Sequence, residues 1–240
     1  SLTTSSVIVV GGGLSGLVSA YLLGGGRTKV TVLEANTHLG GRVHTERWPN
    51  GQISELGFEE FFDEDTYPDI WWLVRELALQ DQVTRYRGSM GAYLRDEYIP
   101  PGSYSKWIRD LPWSADTDPD DFNSMISHVS GGVGQLSMPH DAASYAALDS
   151  ESMKDWISRS YDRSGSGDVD WLTSIFLQPE IGVPSDRTSA AYAILNLWIW
   201  YNSDLYHLRD GNDQFISRLV DKLPPNSVTL DAKVSAVRNL

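Results

Sequence analysis

The residues of this chain best placed to do chemistry stand in one run. Gly11-Gly12-Gly13-Leu14-Ser15-Gly16 meets the pattern G-x-G-x-x-G. In such a turn Gly11 permits the tight reversal, Gly13 lets the backbone approach a pyrophosphate, and Gly16 lets helix and strand pack closely. The helix that follows offers unpaired N–H groups and a positive dipole end to phosphates. Glu34, about 20 residues beyond the glycines, is spaced to accept hydrogen bonds from a ribose 2′-hydroxyl. An acid at that position disfavours a 2′-phosphate, which argues against NADP. Other chemistries lack their residues. The five histidines (His38, His44, His128, His140, His207) show no metal-ligand spacing, and no Gly-x-Ser-x-Gly elbow or Walker loop occurs. The chain has no cysteine, so disulfides, thiolate metal sites and cysteine catalysis are excluded. No metal site and no catalytic residue is assigned from the sequence.

The elements that must position these residues follow from hydrophobic patterning. Residues 7–10 read as an apolar strand, 14–23 as a helix, and 30–33 as a second buried strand ending at Glu34. Residues 66–79 carry apolar side chains at helical spacing (Ile70, Leu73, Val74, Leu77), with Pro68 in the first turn. Residues 89–99 suit a hairpin around Arg95-Asp96. Residues 100–137, rich in Pro, Asp, Ser and Gly, suit loops with short helices. Residues 150–161 and 188–201 are helical, with Ser150 as a candidate cap for the first. Residues 228–234 suit a further strand.

Bulk properties bound the function. At 240 residues, 41% hydrophobic and a mean hydropathy of −0.29, the chain is a soluble globular one with ample core. The longest mostly apolar stretch, 190–201, is too short to span a bilayer and contains Asn196, so no membrane span is expected and a buried helix is. The chain begins at Ser1, and no signal peptide is visible. With no Asn-x-Ser/Thr sequon, a cytoplasmic setting is favoured over a secreted one. A net charge of −13 argues against nucleic acid. It is compatible with a cationic substrate, although acids kept for solubility explain it as well. The sequence leaves a homo-oligomer open.

The choice among dinucleotides turns on residues 34–45. Glu34-Ala35-Asn36-Thr37-His38-Leu39-Gly40-Gly41-Arg42-Val43-His44-Thr45 resembles the signature of the flavin-containing amine oxidase superfamily, which includes monoamine, polyamine and L-amino-acid oxidases. Asn36 and His38 stand where that family usually has arginines. The resemblance implies FAD, held by Gly11, Gly13, Leu14, Ser15, Gly16, Glu34, Ala35, Asn36, Gly40, Gly41 and Arg42. It extends to Glu55-Leu56-Gly57-Phe58, where the family's chain passes near the flavin at Gly57 and Phe58, and to Val234, whose family counterpart lies beside adenine. The family often has two glycines where this chain has Gly211-Asn212. The implied fold is α/β. A Rossmann-like FAD-binding domain (1–80 and 209–240) would carry an inserted, mainly helical substrate domain (81–208).

The resemblance further implies oxidation of an amine to an imine, with O₂ as acceptor and H₂O₂ released. Where L-amino-acid oxidases resemble Gly-x-Met-Arg, with an arginine for the substrate carboxylate, this chain has Gly57-Phe58-Glu59-Glu60. A carboxylate at Glu60, among Glu59, Asp63, Glu64 and Asp65, would repel another carboxylate and favour a small-molecule amine. Trp198, Trp200, Tyr201 and Tyr206 could line an aromatic cavity, with Trp198 and Tyr201 as substrate contacts, although packing in a core is the favoured reading of the group. Four rivals stay open: an L-amino-acid oxidase, a desaturase or protoporphyrinogen-type oxidase acting on C–C bonds, a non-redox flavoenzyme such as a sugar mutase, and a FAD-binding subunit without its own active site. Family members are usually longer, with a lysine near the flavin, aromatic cavity walls and a final FAD segment in the second half. The chain is therefore expected to work with a C-terminal partner chain or a missing second half.

Overall fold

The computed structural model describes residues 5–24, 26, 28–86, 91–101, 110–131, 142–163, 165 and 167–238. The chain divides into two compact units, Ser1–Tyr86 with Asp204–Leu240, and Arg87–Ser203. In chain order the first unit begins with β1 (Ser6–Val10), α1 (Leu14–Gly24), β2 (Lys29–Leu33), β3 (Thr45–Arg47), β4 (Ile53–Glu55), β5 (Phe61–Phe62), α2 (Pro68–Glu76) and β6 (Val83–Arg85). The second unit holds β7 (Ala92–Leu94), β8 (Glu97–Ile99), α3 (Pro119–Gly131), α4 (Ala142–Asp149), α5 (Met153–Ser160), α6 (Asp168–Ile181) and α7 (Ala190–Asn202). The chain then returns to the first unit through β9 (Leu205–Leu208), α8 (Gln214–Lys222) and β10 (Val228–Thr229).

In the first unit β1, β2 and β10 form a parallel sheet in the order β1-β2-β10, with Val7 opposite Val30 and Val9 opposite Val32. Val30 and Val32 are buried in one core with Leu17 and Ala20 of α1 and Phe215 and Leu219 of α8. The β-α-β order explains why: a parallel pair needs a crossover helix, and α1 supplies it while covering one face. β1 alternates, so Val7 and Val9 are half-buried while Ile8 and Val10 are 64% and 60% exposed. The strand is thus less enclosed than its unbroken apolar run suggests. A second sheet, β5-β9-β6, is antiparallel and belongs to the same unit. Its strands extend that unit through Tyr86 and bring it back at Asp204, rather than ending it at residue 80 and resuming it at 209.

The second unit has its own core, built from Phe122, Met125, Met153, Ile157, Leu172, Ile194 and their neighbours. Ser152, not Ser150, caps α5: its hydroxyl accepts the Asp155 N–H at 3.1 Å and donates to the Asp155 carboxylate at 2.7 Å. Ser189 caps α7 by accepting from the Tyr192 N–H. A serine caps only where the following residues turn into the helix, and each true cap stands immediately before its helix. The expected hairpin is present as β7 and β8 around Arg95 and Asp96, which have φ of +50° and +65°. Residues 89 and 90 of that reading lie outside the described residues. α3 has 13 residues where short helices were expected, and α6, with 14, was not anticipated. Residues 228–234 do not form one strand, because β10 ends at Thr229 and Asp231 adopts φ +53°.

Candidate functional site

The site is built where three segments of the first unit meet: the turn after β1, the end of β2, and the loop before β3. Gly11 adopts φ +99°, a conformation other residues rarely take. A Cβ on Gly16 would lie 2.0 Å from the Gly11 carbonyl oxygen, so only glycine lets α1 start this close to the turn. The 40–41 loop lies alongside. The Gly40 N–H donates to the Gly12 carbonyl at 2.9 Å, Gly13 and Gly40 form a parallel bridge, and a Cβ on Gly41 would sit 3.3 Å from the Gly13 Cα. Two glycine loops therefore press backbone to backbone at the N-terminus of an 11-residue helix. At Gly13 the nearest atom to an added Cβ is 3.8 Å away, and at Gly11 none lies within 4 Å. This bare backbone beside a helix start suits a pyrophosphate.

Glu34 is 6% exposed, and its carboxylate is held from three sides. One oxygen accepts the Gly12 N–H at 2.7 Å, and the other accepts the Asn36 N–H at 2.8 Å and the Asn36 side-chain amide at 2.9 Å. The backbone donor of Asn36, followed by that of Gly12, holds the carboxyl below its ordinary value of 4.5. Because the folded value is the lower one, the contribution to stability is complete above 4.5 and is lost as pH falls through that lower value. Glu34→Gln is expected to lower stability by about 1–3 kcal/mol at neutral pH. Melting curves of both proteins across the acid range should converge as the wild type loses the same bonds.

Around this centre the other candidates take definite places. Ala35 and Asn36 are exposed at the end of β2. Leu14 packs partly on the first core, while Ser15 is exposed in the first turn of α1. The Arg42 side chain is exposed, and its carbonyl accepts the Phe58 N–H at 2.9 Å. Gly57 sits against that carbonyl so closely that a Cβ would be 2.0 Å from its oxygen. The Phe58 ring faces inward, 6.2 Å from both Phe61 and Phe215, which leaves its backbone on the loop side. Beyond β10 the Asp231 N–H donates to the Asn36 carbonyl at 3.1 Å and the Ala232 N–H to the Glu34 carbonyl at 2.8 Å. The half-buried Val234 follows two residues later, so the tail runs beside the acid at the end of β2. His38 and His44, whose rings meet edge to face at 5.9 Å, line a surface cleft of about 440 Å³ with Leu39, Val43 and Asp213. No group of three or more acids and histidines able to hold a metal occurs among the described residues.

The substrate candidates are divided between the two units. Glu60 is half-buried just before β5 in the first unit, whereas Trp198 and Tyr201 belong to the second. Trp198 packs against the second core. Tyr206 is in the first core, 5.1 Å from Trp71 and 6.3 Å from Phe61, so the aromatic run at 198–206 is shared between the two units. The chain leaves one unit and enters the other within it. The acids near Glu60 are also divided. Asp63 accepts the backbone N–H groups of Thr66 and Asp204, and Glu64 pairs with Arg75 at 2.8 Å. One buried residue escaped the sequence reading altogether: Asn212, 0% exposed, whose only signal was its place beside Gly211 where a second glycine is common.

A family model for flavin-containing amine oxidoreductases matches residues 14–239. An L-amino-acid oxidase of Vipera ammodytes ammodytes is 61% identical over 41 residues, which is 17% of this chain and 8% of that protein. Cyclohexylamine oxidase from Brevibacterium oxydans IH-35A superposes with a TM-score of 0.68 at 21% identity, covering 95% of this chain and 51% of that one. Putrescine oxidase bound to putrescine superposes with a TM-score of 0.66 at 22% identity, covering 96% of this chain and 51% of that one. At such identities the likeness speaks for a shared α/β FAD-binding fold, and this chain spans about half the length of those structures. The chain belongs to the flavin-containing amine oxidoreductase family, and its cofactor is FAD.

Proposed function

We propose that the protein oxidises a small amine at its C–N bond, with the first unit holding FAD and the second serving the substrate. The observation that carries this reading is the paired glycine loops, 11–13 and 40–41, joined at Gly12–Gly40 beside the buried Glu34. In this reading the N–H groups at Leu14, Ser15 and Gly16 face the pyrophosphate, with Gly11, Gly13, Gly40 and Gly41 giving it room. Glu34 keeps one acceptor position for a ribose hydroxyl while its present donors hold it ionised. Ala35, Asn36 and Val234 border the adenosine end. Arg42, whose guanidinium has no partner among the described residues, supplies positive charge, and Gly57 and Phe58 bring backbone toward the flavin. Bound there, FAD would supply the two-electron oxidation of the amine-bearing carbon with O₂ as the final acceptor, so that amine and O₂ would become imine and H₂O₂.

The choice of an amine rests on Glu60, supported by the names of the two structural relatives, putrescine oxidase and cyclohexylamine oxidase. Asp63 and Glu64 are committed to structure, so the acids that add to the charge at Glu60 are its neighbours Glu59 and Asp65. The test is peroxidase-coupled detection of H₂O₂ from the purified full-length protein, offered primary amines, diamines and α-amino acids in turn. Turnover of amines supports the reading. Turnover of α-amino acids alone would favour the second reading, an L-amino-acid oxidase, which the 61% match over 41 residues keeps in play. A flavin-loaded protein inert to both would be a cofactor-binding chain without its own active site. Glu60→Gln is expected to raise the KM for a diamine about five- to tenfold, the scale of one partly screened charge. An unchanged KM would remove Glu60 from the site.

A further inference from the structure

Asn212 sits at the N-terminal approach to α8 with no exposed surface, yet every polar group it owns is used. Its side-chain oxygen accepts the Leu208 N–H at 2.9 Å. Its amide nitrogen donates to the Phe58 carbonyl at 2.8 Å and to the Glu59 carbonyl at 2.9 Å. Its own N–H donates to Glu55 at 2.8 Å. Two carbonyls on one side and an N–H on the other dictate which way the amide points. The same Glu55 accepts the Thr45 hydroxyl at 2.7 Å, and that hydroxyl accepts the Asp213 N–H at 3.1 Å. The residue thus binds segments more than 150 positions apart in sequence.

What it holds matters for the cofactor. Residues 56–59 lie between Asn212 and the loop that carries Arg42. On one side their carbonyls receive the Asn212 amide. On the other, the Phe58 N–H donates to the Arg42 carbonyl and the Leu56 N–H to the His44 carbonyl, at 2.9 and 2.8 Å, with Gly57 packed directly on the Arg42 backbone. We propose that Asn212 is a positioning residue for FAD: by fixing residues 58–59 it fixes the backbone at Arg42, and so the stance of the 40–42 loop toward the cofactor. This rests on the assignment of the 40–42 loop to FAD. The side chain required is narrow. Aspartate would set an anionic oxygen against two carbonyls, and alanine would leave those carbonyls and the Leu208 N–H unpaired in a buried place.

The test compares flavin-loaded wild type with Asn212→Asp, Asn212→Ala and Leu219→Ala. Leu219, equally buried on α8, controls for lost packing without lost hydrogen bonds. FAD release is followed by the rise in flavin fluorescence on dilution, and flavin seating by visible circular dichroism. Both Asn212 variants are expected to release FAD about tenfold faster or more, with an altered dichroism spectrum, as removal of a buried donor pair predicts. Leu219→Ala is expected to melt lower while releasing FAD within about twofold of wild type, as an independent site should. If alanine at 212 does not fold, the aspartate variant, which keeps the volume, decides by itself. Wild-type release and spectrum in a folded Asn212 variant, or equally fast release from Leu219→Ala, would overturn the proposal. A wild type that retains no FAD would instead refute the assignment of the glycine loops.

Discussion

A Gly40→Ala variant should be isolated without flavin, although its second unit stays folded. Gly40 adopts φ +112°, and a Cβ there would lie 2.4 Å from the Val43 carbonyl oxygen. The conformation alone costs about 1–3 kcal/mol for a residue with a side chain. The overlap with a backbone atom adds to this, because neither partner is the end of a flexible chain. Relief requires the loop to open, which parts the Gly40 N–H from the Gly12 carbonyl and separates the two glycine turns. Gly51 provides the control: it also has positive φ, +83°, but a Cβ there meets nothing within 4 Å. Gly51→Ala should therefore lose only that conformational cost, about 1–3 kcal/mol, and keep its flavin. The measurement is flavin absorbance per mole of protein, alongside thermal melting. Stoichiometric flavin in Gly40→Ala would show that the 40–41 loop is not part of the cofactor site.

The second large effect is expected in the other unit. Asp168, at the first position of α6 and 2% exposed, gathers the Arg95 guanidinium at 2.5 Å, the Ser114 N–H at 2.5 Å and the Thr117 hydroxyl at 3.0 Å. Arg95 also lies 4.1 Å over the Trp171 ring and donates to the Pro112 carbonyl, so one carboxylate ties the β7–β8 hairpin, the 112–117 segment and α6. Burial would raise the carboxyl, but Arg95, Ser114 and Thr117 together outweigh it and bring it to about 2, against an ordinary 3.8. Asp168→Ala should lower the stability of this unit by about 2–4 kcal/mol, since it leaves a buried N–H and hydroxyl without their acceptor while Arg95 keeps some solvent. The contribution is complete above 3.8 and fades as pH falls through about 2. Urea unfolding at neutral and at acid pH checks both parts: the gap between wild type and variant should be wide at neutrality and shrink in acid. A constant gap would mean that the carboxylate's charge is not what holds the cluster.

How far the fold was legible depended on whether the cause was local. The β1-turn-α1-β2 segment could be read because alternation of period, glycine spacing and a terminal acid all lie within 30 residues of one another in a single motif. Arg95-Asp96 was legible as a turn because polar residues break two short strands. By contrast, the sheet β5-β9-β6 joins residues 61–62 to 205–208, and two-residue strands carry no pattern. α6 was missed because its apolar residues run almost all the way round, leaving no stripe, and its N-terminal signal is a glycine at φ +79° rather than a serine or aspartate. The serine cap expected at Ser150 was off by two positions, at Ser152, for the ordinary reason that helix ends are set by backbone geometry. In the site, Glu34 could be named from spacing, but its existing partners, Gly12 and Asn36, could not. Asn212 shows the limit most clearly. Its identity hints only at a missing glycine, and its work appears once residues 55–59 have folded against it.

The division of the first unit across the chain also orders its assembly. Its core needs Leu208, Phe215, Leu219 and Leu223 to cover Leu17, Val30 and Val32, and β10 to complete the parallel sheet on β2. A growing polypeptide that has reached Tyr86 holds the glycine loops but only part of their core. The intervening residues 87–203 carry a core of their own and can close while the first segment waits. The closure entropy of that long interval is reduced once residues 87–203 are compact, because the ends to be joined are then separated by a folded body instead of a random coil. The ability to hold a dinucleotide should therefore wait until residues 208–232 emerge and tie back to the segment before Tyr86.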